Sequence, residues 1–558
     1  MPASSSVLGA FVPIAMNAGQ ISFIVLLVYM AMLIALGVVA GRVFRGTAAD
    51  YFAASRGIGS FVLLMSLFGT TMTAFAIIGS SGEAFKSGIG VYGLMVSWSG
   101  IFHSVCFFLV GVKLWSYGKR YGYLTQIQFF RDRFESDKLG LILFPALVGL
   151  VVPYVLMGII GGSRAIEKIT AGAFPAVFEA TKGGLPYWLG GLIMCAVVLT
   201  YIFYGGVRGA AWANALQTIL FIGLGIVTFF VIAEQLGGMK AATRAVVENN
   251  PSYLKVAASD EDLALYANKM ADFEADRSTF QPRKPDHISP LVFFTYILIP
   301  FSVAMFPHLF QHWLTAKSAR AFRLSIVAHP LLMMLTWLPC VLIGVWATSA
   351  VGADGKLIVP IGADQNAVLP IMVNKIAPTV MGGLLTAGVL AAIMSSLDSQ
   401  FICLGSIFTN DIVAHYIRHD NLTDRRKVLI GRGFIVAVVV LSYALSQWLA
   451  KTSVFALGVW CFSGFASLAP LIFGALYWRR MTRAGAYACI IASAVVGLAF
   501  FIQAYRTGTL VSDHEFLVAG MMPVVFITAA SLLALILVSL ATQPPSKATI
   551  EKFFGTTK

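Results

Sequence analysis

Ala391-Ala392-Ile393-Met394-Ser395-Ser396-Leu397-Asp398-Ser399-Gln400 lies deep inside an apolar run from about Val380 to Ile407. Three hydroxyls and a carboxylate sit there in a segment that otherwise avoids water. An ionisable group inside a membrane span costs a few kcal/mol or more, so it marks a functional site by default. In a helix, Ser395 shares a face with Ser399 and with Asp398, which makes a short stripe of oxygen atoms. Oxygens are the ligands of hard cations. The stripe reads as one half of an ion site in an ion-coupled transporter.

The rest of the chain supports a membrane setting. Of 558 residues, 58% are hydrophobic and 11% charged, against about 25% charged in soluble domains. The chain is read as an all-α polytopic membrane protein, one transmembrane domain over 1–558. The net charge of +14 suggests basic cytoplasmic loops rather than a nucleic-acid partner. Cys106, Cys195, Cys340, Cys403, Cys461 and Cys489 all fall within apolar runs and read as small buried hydrophobes. The first 19 residues hold no Lys or Arg, unlike the charged start of a signal peptide.

Thirteen apolar runs are long enough to cross a bilayer: about 20–40, 59–82, 91–112, 141–162, 187–204, 211–234, 289–313, 325–349, 376–409, 427–449, 453–477, 484–504 and 517–541. With the N-terminus outside, the inner loops hold 24 Lys and Arg against 8 in the short outer ones. That asymmetry predicts N-out and C-in, in a plasma or bacterial inner membrane. The polar segment 235–288 is an extracytoplasmic loop, with a short amphipathic helix expected near 260–275. The tail, 542–558, is expected to be a mobile cytoplasmic end. No GxxxxGK[S/T] motif supplies an ATPase engine, and no HExxH, CxxC or nucleophile elbow suggests an enzyme. His308 and His312 stand at helical spacing without an apparent third ligand, and read as interfacial or hydrogen-bonded.

Two spans look broken. Gly69-Thr70-Thr71-Met72-Thr73 is poor helix sequence and good sequence for a break whose freed carbonyls face an ion. The competing reading has the Thr hydroxyls bonding back to an intact helix. Pro300 and Pro307 should kink the seventh run. Broken helices beside a polar stripe mark secondary transporters, many of them built as inverted repeats. Spans 2–6 and 7–11, covering 59–234 and 289–477, would be the five-helix halves, and an ion between spans 2 and 9 would couple them.

These residues resemble the sodium:solute symporter family, which has the leucine-transporter fold. The likeness covers nearly the whole chain. It rests on Ala392-Ile393-Met394-Ser395-Ser396 and on Gly69 to Phe75 followed by Gly82-Glu83-Ala84-Phe85. Tyr204-Gly205-Gly206-Val207-Arg208 with Gln217, Thr409-Asn410-Asp411-Ile412, and Trp478-Arg479-Arg480-Met481-Thr482 add to it. The resemblance implies a sodium site made by the carbonyls of Gly69, Met72 and Ala392 and the hydroxyls of Ser395 and Ser396. Sodium is the coupling ion, and no organic cofactor is implied.

Two departures stand out. Many members carry an acidic residue near Asn214, linked to a second sodium or a proton. Here Asp398 would supply that charge, with Ser399 and Asn214 completing a second ion or proton site; alternatively it only organises hydrogen bonds. Sugar-carrying members place polar side chains where Phe75 and Ala76 stand, and an apolar pair leaves sugar hydroxyls unpaired. The expected solute is small, with an apolar part and one charged end: a monocarboxylate or an amino acid such as proline, with choline as a further candidate. Thr73, Phe75, Tyr296 and Trp460 are the candidates for lining its pocket. Sodium-coupled symport into the cell is the leading reading, and no oligomer is required for it. A proton-coupled carrier using Asp398 and a non-transporting membrane sensor are the alternatives.

Overall fold

The computed structural model describes residues 16–42, 47–53, 57–277, 280–286, 288–377, 379–417, 422–509 and 516–555. Helices dominate, and the described residues contain only isolated β-bridges. Ten helices are long and apolar enough to cross a membrane, or twelve if two bent pairs are each one span. The expected number is thirteen. Twelve rises to that number only if Tyr187–Gln235, 49 residues long, is taken as two segments meeting at Gly206. An unbroken helix of that length would run about 73 Å, more than twice a hydrocarbon core of about 30 Å. Gly206 has φ 54° and ψ −153°, which interrupts the helix. A Cβ there would also lie 2.8 Å from the Tyr51 ring and carbonyl.

Both bends fall where the sequence weakens the helix. Ser60–Thr71 and Phe75–Ser87 meet at 58°, and Pro290–Ala304 and Pro307–Thr315 meet at 50°. The first break follows Gly69 and the run of threonines. Met72 leaves helical geometry at φ −86° and ψ 87°. The second follows a 3-10 segment, Tyr296–Ala304, that contains Pro300. Pro307 then opens the next helix at a position where a missing N–H costs nothing.

Helix Met381–Ile417 is the centre of the molecule. Its most apolar window is buried on every face, whereas that of the peripheral Arg483–Arg506 is 28% buried. A helix apolar all round belongs inside a bundle, and this one carries the serine and aspartate stripe.

The segment 235–288 packs on the body of the protein. It contains helices Met239–Asn249 and Asp260–Ala275, the second started by a capping box between Ser259 and Asp262. The Ile89 amide donates to the Tyr253 carbonyl at 2.8 Å, which ties the segment to the start of Gly90–Tyr121. A cleft of about 840 Å³ opens on this side, lined among others by Phe85, Arg283, Phe455 and Trp460.

The tail corrects an expectation. Instead of a mobile end, Lys547–Phe554 is a docked helix at the Tyr121 end of that same span. The Tyr121 hydroxyl donates to the Lys552 carbonyl at 2.7 Å, and Lys552 pairs with Asp132 at 2.6 Å. Ser546 and Thr549 donate to Glu135. The Phe553 ring packs edge-on against Tyr117 and Phe129. Aromatic burial of this kind offsets the ordering cost that leaves most chain ends loose.

Candidate functional site

The break in Ser60–Ser87 lies against the middle of Met381–Ile417. The Ser395 hydroxyl sits 2.8 Å from the Gly69 carbonyl and 2.9 Å from the Ala392 carbonyl. Three of the five oxygens expected to hold sodium therefore meet at one point. Ser396 donates to the Ile393 carbonyl at 2.9 Å, and Met72 forms the break itself. Among the described residues the Ser396 hydroxyl makes no hydrogen bond to the other three oxygens. Thr71 bonds back to Leu67 and Phe68 at 3.0 and 2.9 Å. The hydroxyl thus returns to its helix as the competing reading expects, but the helix is not intact: it breaks at Met72.

A second polar group lies one turn further along the buried helix. Ser399 donates to Asp398 at 3.0 Å and receives the Asn214 amide at 2.9 Å. The Tyr201 hydroxyl donates to the other Asp398 oxygen at 3.0 Å. Asp398, Ser399 and Asn214 are thus brought together as expected. The Asn214 and Gln217 side-chain oxygens, both fully buried, have no hydrogen-bond partner among the described residues. Buried oxygens without partners call for an occupant or an explanation. They stand three positions apart, on one helix face.

His312 was not among the expected site residues, yet it bridges this group to the broken helix. Its ring contacts Ser66 at 2.8 Å and Ser399 at 2.9 Å. It is buried rather than interfacial. The sequence signal was the histidine pair at helical spacing, which named neither partner.

The pocket candidates do not form one pocket. The Thr73 hydroxyl accepts the Phe75 amide at 3.0 Å and so caps the restarted helix. Phe75 stacks on Phe455 at 5.0 Å and meets Phe462 edge-on at 5.1 Å. Phe462 leads to Tyr154 and Phe306, and His308 lies between those two rings at 5.3 and 5.2 Å. Neither His308 nitrogen has a partner among the described residues, although the residue is fully buried. Trp460 lines the cleft, against Phe501 and Phe516. Tyr296 is buried at the start of the 3-10 segment Tyr296–Ala304.

Oxygens gathered where a broken helix meets a buried polar one, beside a packed cluster of aromatic rings and a cleft, define an ion-coupled secondary transporter. Residues 51–493 match the model of the sodium:solute symporter family, and the chain belongs to that family. Its activity is sodium-coupled symport of a solute. The sodium/pantothenate symporter of Escherichia coli (strain K12) is 24% identical over 453 residues, 80% of this chain and 83% of the relative. A sodium/proline symporter of Staphylococcus aureus (strain bovine RF122 / ET3-1) is 24% identical over 497 residues, 86% of each chain. Among solved structures, a substrate-bound, outward-open Na+-coupled sialic acid symporter superposes with TM-score 0.72 at 16% identity, covering 95% of this chain and all of that one. A nucleobase-cation-symport-1 family transporter in a closed conformation gives 0.53 at 14% identity, covering 91% and 98%. These neighbours share the leucine-transporter fold.

Proposed function

We propose that sodium held by the carbonyls of Gly69, Met72 and Ala392 and the hydroxyls of Ser395 and Ser396 drives a small carboxylate-bearing solute into the cell. The carrying observation is the 2.8 Å contact between Ser395 and Gly69. It joins the first broken helix to the buried one, so an ion there ties the two repeats, 59–234 and 289–477, together. Five neutral oxygens suit a monovalent ion. Sodium acts by binding one state better than the other. Asp398, Ser399 and Asn214, with the unpartnered oxygens of Asn214 and Gln217, form a second ion site.

The solute binds at the aromatic cluster of Phe75, Tyr154, Phe306 and Phe462, with His308 as its hydrogen-bond partner. The pantothenate and proline carried by the relatives both combine an apolar part with a carboxylate. The cleft side faces out and the docked tail faces the cytoplasm of a plasma or bacterial inner membrane. Proteoliposomes test this directly. An inward sodium gradient should drive uptake of a monocarboxylate or amino acid, and an equal potassium gradient should not.

A second reading is proton coupling. Asp398, Ser399, His312 and Ser66 form one hydrogen-bonded row through the core. Uptake that follows a pH gradient and ignores sodium would select it.

A further inference from the structure

The outer cleft carries an uneven set of charges. Five basic residues line it against three acidic ones. The acidic ones are engaged: Glu83 by Lys86 at 3.6 Å, Asp364 by Arg164 at 2.9 Å, and Asp286 by the Ser87 hydroxyl at 3.3 Å. Arg283 is different. Its Nε and Nη1 are buried without a hydrogen-bond partner among the described residues. Its guanidinium lies 3.7 Å over the Phe85 ring, with Tyr253 on its other flank at 5.7 Å. Stacking holds the plane of the fork in place while Nε and Nη1 stay without a partner; Tyr253 engages the rest of the guanidinium. A fixed guanidinium is suited to receiving a planar carboxylate through two hydrogen bonds. An ammonium entering the same cleft meets an excess of positive charge and acidic groups already in use.

We propose that Arg283 is a docking station at the mouth of the cleft for the carboxylate of the solute, and that it selects monocarboxylate anions over zwitterionic amino acids. This rests on the transport reading above and narrows its solute class. Phe455 lines the cleft and also stacks on Phe75. The cleft that Arg283 lines is therefore bounded on one side by the aromatic cluster of Phe75.

The test places a thiol in the cleft. Ala456 lines it and is part-exposed, and all six native cysteines are buried. In Ala456→Cys, labelling rates are measured with an anionic and a cationic methanethiosulfonate, each normalised to its rate with free cysteine. The anionic reagent should be favoured by about tenfold or more, the scale on which a charged cleft concentrates counter-ions. Adding Arg283→Gln should abolish that preference, and Arg283→Lys should retain part of it. Butyrate should slow labelling in the Arg283 background, while proline should not. A preference unchanged by Arg283→Gln, protection by proline equal to that by butyrate, or no protection by butyrate would each overturn the proposal. Sodium-specific thermal stabilisation of both variants, measured in parallel, reports folding and the ion site separately. If wild type lacks that stabilisation, the transport reading fails while the labelling ratio still judges Arg283.

Discussion

The Ser395 hydroxyl lies 2.8 Å from the Gly69 carbonyl, although 326 positions separate the two residues. The contact exists because Gly69 lacks a side chain. A Cβ there would stand 2.4 Å from the Thr218 hydroxyl and 3.3 Å from the Asn214 carbonyl. Gly69→Ala should therefore push the broken helix away from its neighbour and lower stability by about 1–3 kcal/mol, the usual cost of overpacking. It should also weaken sodium binding. Removing the obstructing hydroxyl with Thr218→Ala should restore part of both. Thermal unfolding of the single and double variants checks this, and additive losses would refute the steric account.

Asp398 should matter for ion count as well as for folding. Asp398→Asn keeps the shape and removes the charge. The sodium dependence of uptake should lose one ion, read as a drop in the Hill coefficient toward 1. An unchanged coefficient with an unchanged rate would leave Asp398 as a hydrogen-bond organiser only.

His308 should act on the solute and not on sodium. Its two buried nitrogens lack partners, and leaving such a group unpaired costs about 1–3 kcal/mol. A solute that supplies the partner recovers that energy. His308→Phe should raise the KM for solute about tenfold, the equivalent of 1.4 kcal/mol, and leave the sodium curve in place. Equal shifts in both curves would mean that the residue serves packing.

The tail should respond to acid. Hydrogen bonds from Ser546 and Thr549 hold the Glu135 carboxyl below its ordinary value of 4.5. The folded value is depressed, so the contribution of this contact is complete above about pH 4.5 and is lost as the pH falls through the lower folded value. The protection factor of the 546–554 amides, taken against their intrinsic exchange rate at each pH, should fall below that pH. Glu135→Gln should lower it at neutral pH too. Protection independent of pH would assign the docking to Phe553 and Lys552 alone.

What could be read in the sequence was local. Gly69 to Thr73 and Pro300 with Pro307 announce breaks because their defects in propensity and hydrogen bonding act within one turn. Ser395, Asp398 and Ser399 announce a site because polarity in an apolar run is costly wherever it falls. What could not be read depends on distant pairing. The partners of His312 lie 246 and 87 positions away. Phe75 and Trp460 look alike as pocket aromatics, yet packing sends one into a buried ring cluster and the other to the cleft. The tail looks like a loose polar end until Tyr117 and Phe129 are brought beside Phe553 by the fold.

The most direct test of the account is the thermal stability of the purified protein, titrated with sodium chloride against potassium chloride, for wild type and Ser395→Ala. An ion that binds only the folded state stabilises it by about 2.7 kcal/mol at 100 times its dissociation constant. The account predicts a rise in melting temperature with sodium alone, lost or moved to far higher concentration in Ser395→Ala. Identical curves in the two salts, or an undiminished sodium response in the variant, would contradict a coupling site at Gly69 and Ser395.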